Sequence, residues 1–330
     1  MISVVSPVAP SGTVRCGPAA LRKLRWVLQR VSSGSPLEPV IGFSRGLRVD
    51  GAWYESAVAS EFVIERDGVR LAGLDFGDSG ASFLLLHGLA GYAGEWTETA
   101  GWLTEHGRVV ALDARGHGGS ERFPADVSPA AHVADAVFAI ERLRLGPVVV
   151  IGQSFGGLTA LRLAAARPEL VKGLVVADAG PGDGRDDLAT QVSEGIGASL
   201  RRWPAPFASR EAAIAFWEGP SLRADAWANG LERREDGWWP RFDVDVMVRT
   251  LREASIDDSW DAWERIACPV LVARAARGGM TVEYAAEMVD RGRDVQVVEI
   301  ADAGHDLHLD RPAEWRSTVS ALVHSLDQPN

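Results

Sequence analysis

Cysteine is nearly absent from this 330-residue chain: Cys16 and Cys268 are the only two. One falls in an N-terminal tail and the other at the start of an apolar strand. That placement excludes a disulfide framework, and a reduced, cytoplasmic setting is expected. No unbroken apolar run reaches about 18 residues, so no transmembrane helix and no membrane partner are expected. Positive charge is in deficit, with 34 Lys plus Arg against 45 Asp plus Glu and a net charge of −11. This balance excludes the basic footprint of a nucleic-acid binder. Metal-ligand spacings and phosphate loops are missing too, because Gly278-Gly279 and Gly116 to Gly119 lack the strand, lysine and helix that such loops need. No cofactor and no metal are therefore expected.

What is there is a chain that is 46% hydrophobic, long enough for one large core plus an insertion. Apolar strands are read near Phe62 to Glu65, Val69 to Phe76, Phe83 to Leu86, Val109 to Leu112, Val148 to Ile151, Leu174 to Ala177, Val270 to Ala273 and Val295 to Ile300. Helical stretches alternate with the later ones, which predicts a mostly parallel eight-stranded sheet with helices on both faces. Arg66-Asp67-Gly68 joins the two leading strands and predicts an antiparallel hairpin at the sheet edge. The chemistry then belongs to the loops after the strands' C-terminal ends.

The segment Val148 to Gly157 reads as a strand running into Gly-Gln-Ser-Phe-Gly and then a helix from Leu158 to Ala166. A serine hydroxyl attacks a carbonyl only when held proud of the backbone on a tight turn with small neighbours. Gly152, Gly156 and Gly157 supply that room, so Ser154 is the candidate nucleophile. After the Phe83 to Leu86 strand, His87-Gly88-Leu89-Ala90-Gly91 forms a glycine turn whose N–H groups can face an anion. The amides of Leu89 and Phe155 are the expected oxyanion hole. Ala303-Gly304-His305 follows the last strand in a loop, which makes His305 the candidate general base. His87 is its rival but sits beside the oxyanion turn, where ordering that turn is the simpler role. His117 reads as part of a structural turn, and His106, His132, His308 and His324 have no motif around them.

In the order of these segments, together with Asp113 to Ser120 after a strand and Asp178-Ala179-Gly180-Pro181, the chain resembles the α/β-hydrolase superfamily from about Phe62 to its C-terminus. The resemblance implies an α/β-hydrolase fold with an inserted cap. Serine at the elbow is similar to the esterase, lipase and lactonase branches, and argues against epoxide hydrolases and haloalkane dehalogenases, which carry aspartate there. The chain departs from the family at the triad acid: Ala275-Ala276-Arg277 stands where a Gly-x-Asp context is usual, and arginine cannot accept the imidazole N–H. Asp178 is the substitute. The helix after Ser154 descends about 18 Å and the next strand climbs about 23 Å, which returns Asp178 to the sheet edge that carries Ser154. A cap into the next segment is the plainer role for Asp178, with Asp302 and Asp306 as the remaining acids and Asp113 a turn residue. Zearalenone lactonases resemble this chain in the interval from serine to acid.

Residues 1–55 read as an N-terminal extension, 56–180 and 259–330 as the hydrolase core, and 181–258 as a helical cap. In the extension Leu21, Leu24, Val27, Leu28 and Val31 recur at helical spacing among Arg22, Lys23, Arg25 and Arg30, either a surface-docking segment or a loosely packed tail. Seven of the 12 tryptophans fall between Trp203 and Trp263. They either hold the cap together or line a cleft over Ser154, for which Trp217 and Trp238 are the candidates. The expected activity is acyl transfer to water from a small apolar or aromatic ester or lactone, a macrolactone such as zearalenone among them. A carbon-carbon bond hydrolase acting on a β-diketone and a small-molecule receptor on a hydrolase scaffold stay open as alternatives, and so does a homodimer.

Overall fold

The computed structural model describes residues 59–326 except 78–79 and 183, together with the backbone of two short paired strands, Leu47–Val49 and Ala52–Tyr54. Cys16 and the basic segment Leu21 to Val31 lie outside the described residues. The main sheet has eight strands: β1 (Ser60–Arg66), β2 (Val69–Asp75), β3 (Ala81–Leu86), β4 (Gly107–Leu112), β5 (Val148–Gln153), β6 (Val171–Ala177), β7 (Val270–Ala275) and β8 (Val295–Ile300). Their order across the sheet is β8-β7-β6-β5-β3-β4-β2-β1. From β8 to β4 every pair is parallel, and β2 runs antiparallel to both β4 and β1. The β1–β2 turn is tight because Asp67 and Gly68 both take positive φ, 52° and 79°, the geometry a two-residue hairpin requires.

Alternation along each strand splits the core between the two faces. Val148 and Val150 of β5 point to one face, with Leu174, Val176, Val270 and Val272. On that face lie helices α2 (Pro129–Arg142) and α3 (Phe155–Ala166). Val149 and Ile151 point to the other face, where α1 (Thr97–Leu103) and the C-terminal helix Pro312–Leu326 supply Trp102, Trp315 and Val319. All four of these β5 residues are essentially without exposure, and each buried side chain of this size contributes about 1.5–3 kcal/mol. A continuous apolar strand of this kind is stable only when covered twice, so β5 sits in the middle of the sheet.

The segment between β6 and β7 packs over the C-terminal ends of the strands. It contains α4 (Asp186–Leu200), α5 (Arg210–Phe216), α6 (Leu222–Asn229) and α7 (Val244–Ile256). Ser209, Ser221 and Asp243 cap the last three, accepting from Ala212, Ala224 and Val246 amides at 3.1 Å each. The cap is not purely helical, contrary to the sequence expectation. Leu231–Arg234 pairs with Gly237–Pro240 across a two-residue turn, and Gly237 takes φ 142° beside the backbone of Phe207. Charged residues on the first strand and paired tryptophans on the second hide the alternation that would have announced this hairpin. Two core arginines seat the cap: Arg122 bonds the Pro240 and Phe242 carbonyls, and buried Arg162 bonds Ser259 Oγ and the Ala254 carbonyl. Arg115, paired with Asp135 at 2.6 Å, holds the underlying loop by the Asp126 carbonyl.

Candidate active site

The sheet reverses its winding at β3 and β5, whose neighbours β4 and β6 lie on opposite sides, and a crevice opens there at the C-terminal ends. Register decides what meets in it. Leu86 of β3 pairs with Gly152 of β5, and Gln153 pairs with Ala177 of β6. The residues that follow, the His87 to Gly91 turn, Ser154 and Asp178, therefore emerge side by side. Ser154 sits at φ 53°, ψ −118°, a strained conformation for a residue with a Cβ. It persists because the flanking backbones interlock: a methyl at Gly152 would overlap Gly156, and one at Gly156 would overlap the Leu86 and His87 carbonyls.

His305 lies between the serine and the aspartate. Its Nε2 is 2.9 Å from Ser154 Oγ and its Nδ1 is 2.8 Å from Asp178 Oδ2. A carboxylate on Nδ1 fixes the proton there, so Nε2 is left to accept from the serine hydroxyl. The Asp178 side chain has no exposure, whereas that of His305 is 44% exposed, so the acid is sealed while the imidazole edge meets solvent. Packing around the imidazole works to lower its pKa. The hydrogen bond to Asp178 and the charges of Asp306, Asp178 and Asp310 outweigh that and raise it above the ordinary histidine value. Gln153 Nε2 donates to the His305 carbonyl at 3.0 Å and holds the loop from below.

Asp178 is itself cradled. Its two oxygens accept from the amides of Ala275 and Gly279 at 3.3 and 3.2 Å. The loop that carries Arg277 thus wraps the Asp178 carboxylate. Gly278 is the residue that permits this, since a methyl there would overlap the Asp178 carboxyl oxygens. In the sequence Gly278-Gly279 lacks a phosphate-loop pattern, and two adjacent glycines after a strand are the available signal for close backbone approach. Gly278→Ala is expected to push the carboxylate off the imidazole. A displacement near 1 Å costs roughly 10²-fold in turnover, to be checked as kcat with Tm measured alongside; unchanged kcat would show that the loop yields instead.

Phe155 begins α3, so its amide has no acceptor within the helix. Gly88 approaches the serine closely enough that a methyl on it would stand 3.5 Å from Ser154 Cβ, which brings Leu89 to the same rim. His87 orders this turn. Its Nε2 accepts from the Ala114 amide at 3.0 Å, so Nδ1 carries the proton and donates to the Gly88 carbonyl at 2.7 Å. Burial lowers its pKa to about 4, the Gly88 bond opposing. His117 is buried against the Arg115 carbonyl and His308 is stacked on Trp96, both lowered to about 3 by burial. Asp113 holds a turn, accepting from the Ala93 and Gly119 amides at 2.6 and 2.7 Å. Of the other acids, Asp302 offers its carbonyl to Arg277, and Asp306 is hydrogen-bonded by the Trp227 side chain.

Trp217 and Trp238 are not brought to the serine, which corrects the cleft expectation. Trp217 is buried in the cap's own cluster with Trp203, Phe207 and Trp227. Trp238 packs against the same cluster while its backbone bridges Phe207 in both directions at 2.9 Å. A cap this small needs its large rings for its own core. Trp227 and Trp203 face the seam between cap and core instead, with Tyr92 and Phe242. Cys268 is a free, half-buried thiol whose pKa burial pushes up to about 11. Among the described residues no three His, Cys, Asp or Glu side chains are grouped to hold a metal ion, and no helix is long and apolar enough to cross a membrane.

This sheet order, with a Gly-Gln-Ser-Phe-Gly turn after β5 and an inserted segment after β6, defines the class. The chain belongs to the alpha/beta hydrolase family, whose model matches residues 83–318. Among its relatives, it is 31% identical over 266 residues to a 3-hydroxybutyrate-oligomer hydrolase of Cupriavidus necator, covering 72% of this chain and 87% of that one. It is 29% identical over 263 residues to an esterase of Mycobacterium tuberculosis, covering 77% and 86%. In structure it is similar to E-2-(acetamidomethylene)succinate hydrolase, with a TM-score of 0.72 over 81% of this chain and 100% of that one at 20% identity.

Proposed function

We propose that this chain is a serine ester hydrolase working through an acyl-enzyme. The observation that carries the reading is the unbroken hydrogen-bond chain from Ser154 Oγ through His305 to Asp178, set at the sheet's switch point. As the serine oxygen forms its bond to the ester carbonyl carbon, its proton passes to His305 Nε2. The carbonyl π electrons move onto oxygen, where the Leu89 and Phe155 amides hold the charge. Collapse of the tetrahedral species breaks the bond to the alkoxide, which leaves with the proton from His305. Water then repeats the sequence on the acyl-serine and releases the acid. Asp178 keeps the imidazole in the tautomer that can accept, and stabilises the imidazolium that forms.

Esterase and lipase relatives support ester cleavage in general. A lactone is the finer form of the reading, in which the alkoxide stays tethered and water must outrun recyclisation. A macrolactone such as zearalenone is a narrower form still, and it rests on the interval from Ser154 to Asp178 alone. Short esters, including those of small hydroxy acids like the 3-hydroxybutyrate in one relative's name, are the broader form. The test is a panel of p-nitrophenyl esters from acetate to laurate, simple lactones and a β-diketone, read beside covalent labelling by a fluorophosphonate. Labelling with turnover of short esters is expected. Cleavage of the diketone alone, or binding of the panel without turnover or labelling, would overturn the reading.

A further inference from the structure

The seam between cap and core holds a cation for which the mechanism has no use. Arg241 lies between Pro240 and Phe242, whose carbonyls both accept from Arg122, at 3.2 and 2.8 Å. Its backbone is therefore pinned on both sides. Its side chain lines the enclosed space beneath the cap, and its Nε is buried without a hydrogen-bond partner. An unpaired buried donor is costly, and a guanidinium offers its donors in a rigid fork shaped for a planar anion. Asp113 is a carboxylate near enough to act on Arg241 electrostatically, yet its oxygens are already engaged by the Ala93 and Gly119 amides.

The position of this space gives the cation a purpose. Ala90 and Gly91, which directly follow Leu89 in the oxyanion turn, form one wall. Trp227, which bonds the Asp306 neighbour of His305, forms another. We propose that this space is a substrate subsite in which Arg241 binds a carboxylate, so that the esters this protein prefers carry a free acid group. The proposal rests on the ester-hydrolase reading for its use in turnover, while the binding itself stands apart from it. Trp203 and Phe242 add apolar rings to its lining, and an apolar surround strengthens a charge-assisted pair. Glu95 also borders the space. Burial, then the charge of Asp306, raises its carboxyl well above the ordinary value, which lessens its repulsion of a bound anion.

The test compares mono-p-nitrophenyl glutarate with p-nitrophenyl butyrate. The wild type is expected to show the higher kcat/KM on the glutarate ester. Arg241→Gln should lower the glutarate-to-butyrate ratio by about 10- to 100-fold, and Arg241→Lys should restore part of it. Free glutarate titrated by calorimetry gives a readout that needs no turnover, with heat expected for the wild type and lost in Arg241→Gln. A wild type that neither prefers the charged ester nor binds glutarate would overturn the subsite, as would a ratio unmoved by Arg241→Gln. Glutarate binding without turnover of either ester would leave the subsite standing and sink the hydrolase reading instead.

Discussion

Ser154→Ala is expected to lower kcat/KM on any ester the protein cleaves by about 10³-fold or more while leaving the fold intact. The size follows from the site. Removing Oγ deletes the atom that forms the acyl bond and leaves His305 Nε2 with nothing to deprotonate but water. Whatever rate survives comes from the amides at the oxyanion rim and from binding. The fold should tolerate the change because alanine keeps the Cβ that already occupies the strained φ of 53°, and among the described residues the Ser154 hydroxyl bonds only His305. Tm should therefore stay within a few degrees, and fluorophosphonate labelling should vanish. Near wild-type turnover by Ser154→Ala would remove the nucleophile and with it the covalent mechanism.

How far the sequence carried the structure depended on range. The eight strands were legible because each is a short apolar run bounded by turn residues, and a doubly covered sheet demands such runs. The hairpin turn at Asp67-Gly68 was legible for the same local reason: both residues accept positive φ. Ser154 and Asp178 could be read as neighbours because each directly follows a strand, and the register of those two strands sets them side by side, whereas His305 reaches them from a loop after the last strand. Two kinds of feature were not legible. The cap's tryptophans share one composition, and only three-dimensional packing separates Trp217, buried in the cap's cluster, from Trp227 at the seam. Likewise the reason for Arg277 in place of an acid became visible only with the loop closed around Asp178. The amides of Ala275 and Gly279 and the missing side chain of Gly278 form a receptor for a carboxylate supplied by another strand. Such a receptor is written in backbone geometry and leaves little trace in residue types.

Asp178→Asn is the change with the largest expected effect on chemistry after removal of the nucleophile, about 10⁴-fold in kcat with the fold retained. The carboxamide keeps the shape of the carboxylate but presents either an oxygen or an NH₂ to Nδ1. With the amides of Ala275 and Gly279 demanding acceptors on both sides, the side chain cannot satisfy them and the imidazole together. An NH₂ turned toward Nδ1 would force the proton onto Nε2, the tautomer that cannot take the serine proton. The same substitution should move the pH profile. In the wild type the His305 pKa is raised by Asp178, Asp306 and Asp310 against the opposing effect of burial, and the base works only when neutral. Activity should therefore fall as pH drops through that raised pKa, above the ordinary histidine value. Asparagine removes the hydrogen bond and one of the charges, so the imidazole loses its proton more readily and the acid limb should shift toward lower pH. Arg277→Asp, which adds an acid on the loop where the family usually carries one, should change kcat little because Nδ1 is already occupied. If Asp178→Asn leaves kcat and the acid limb where they were while Asp302→Asn cripples turnover, the acid lies on the histidine loop and the contact at 2.8 Å is not the one that orients the base.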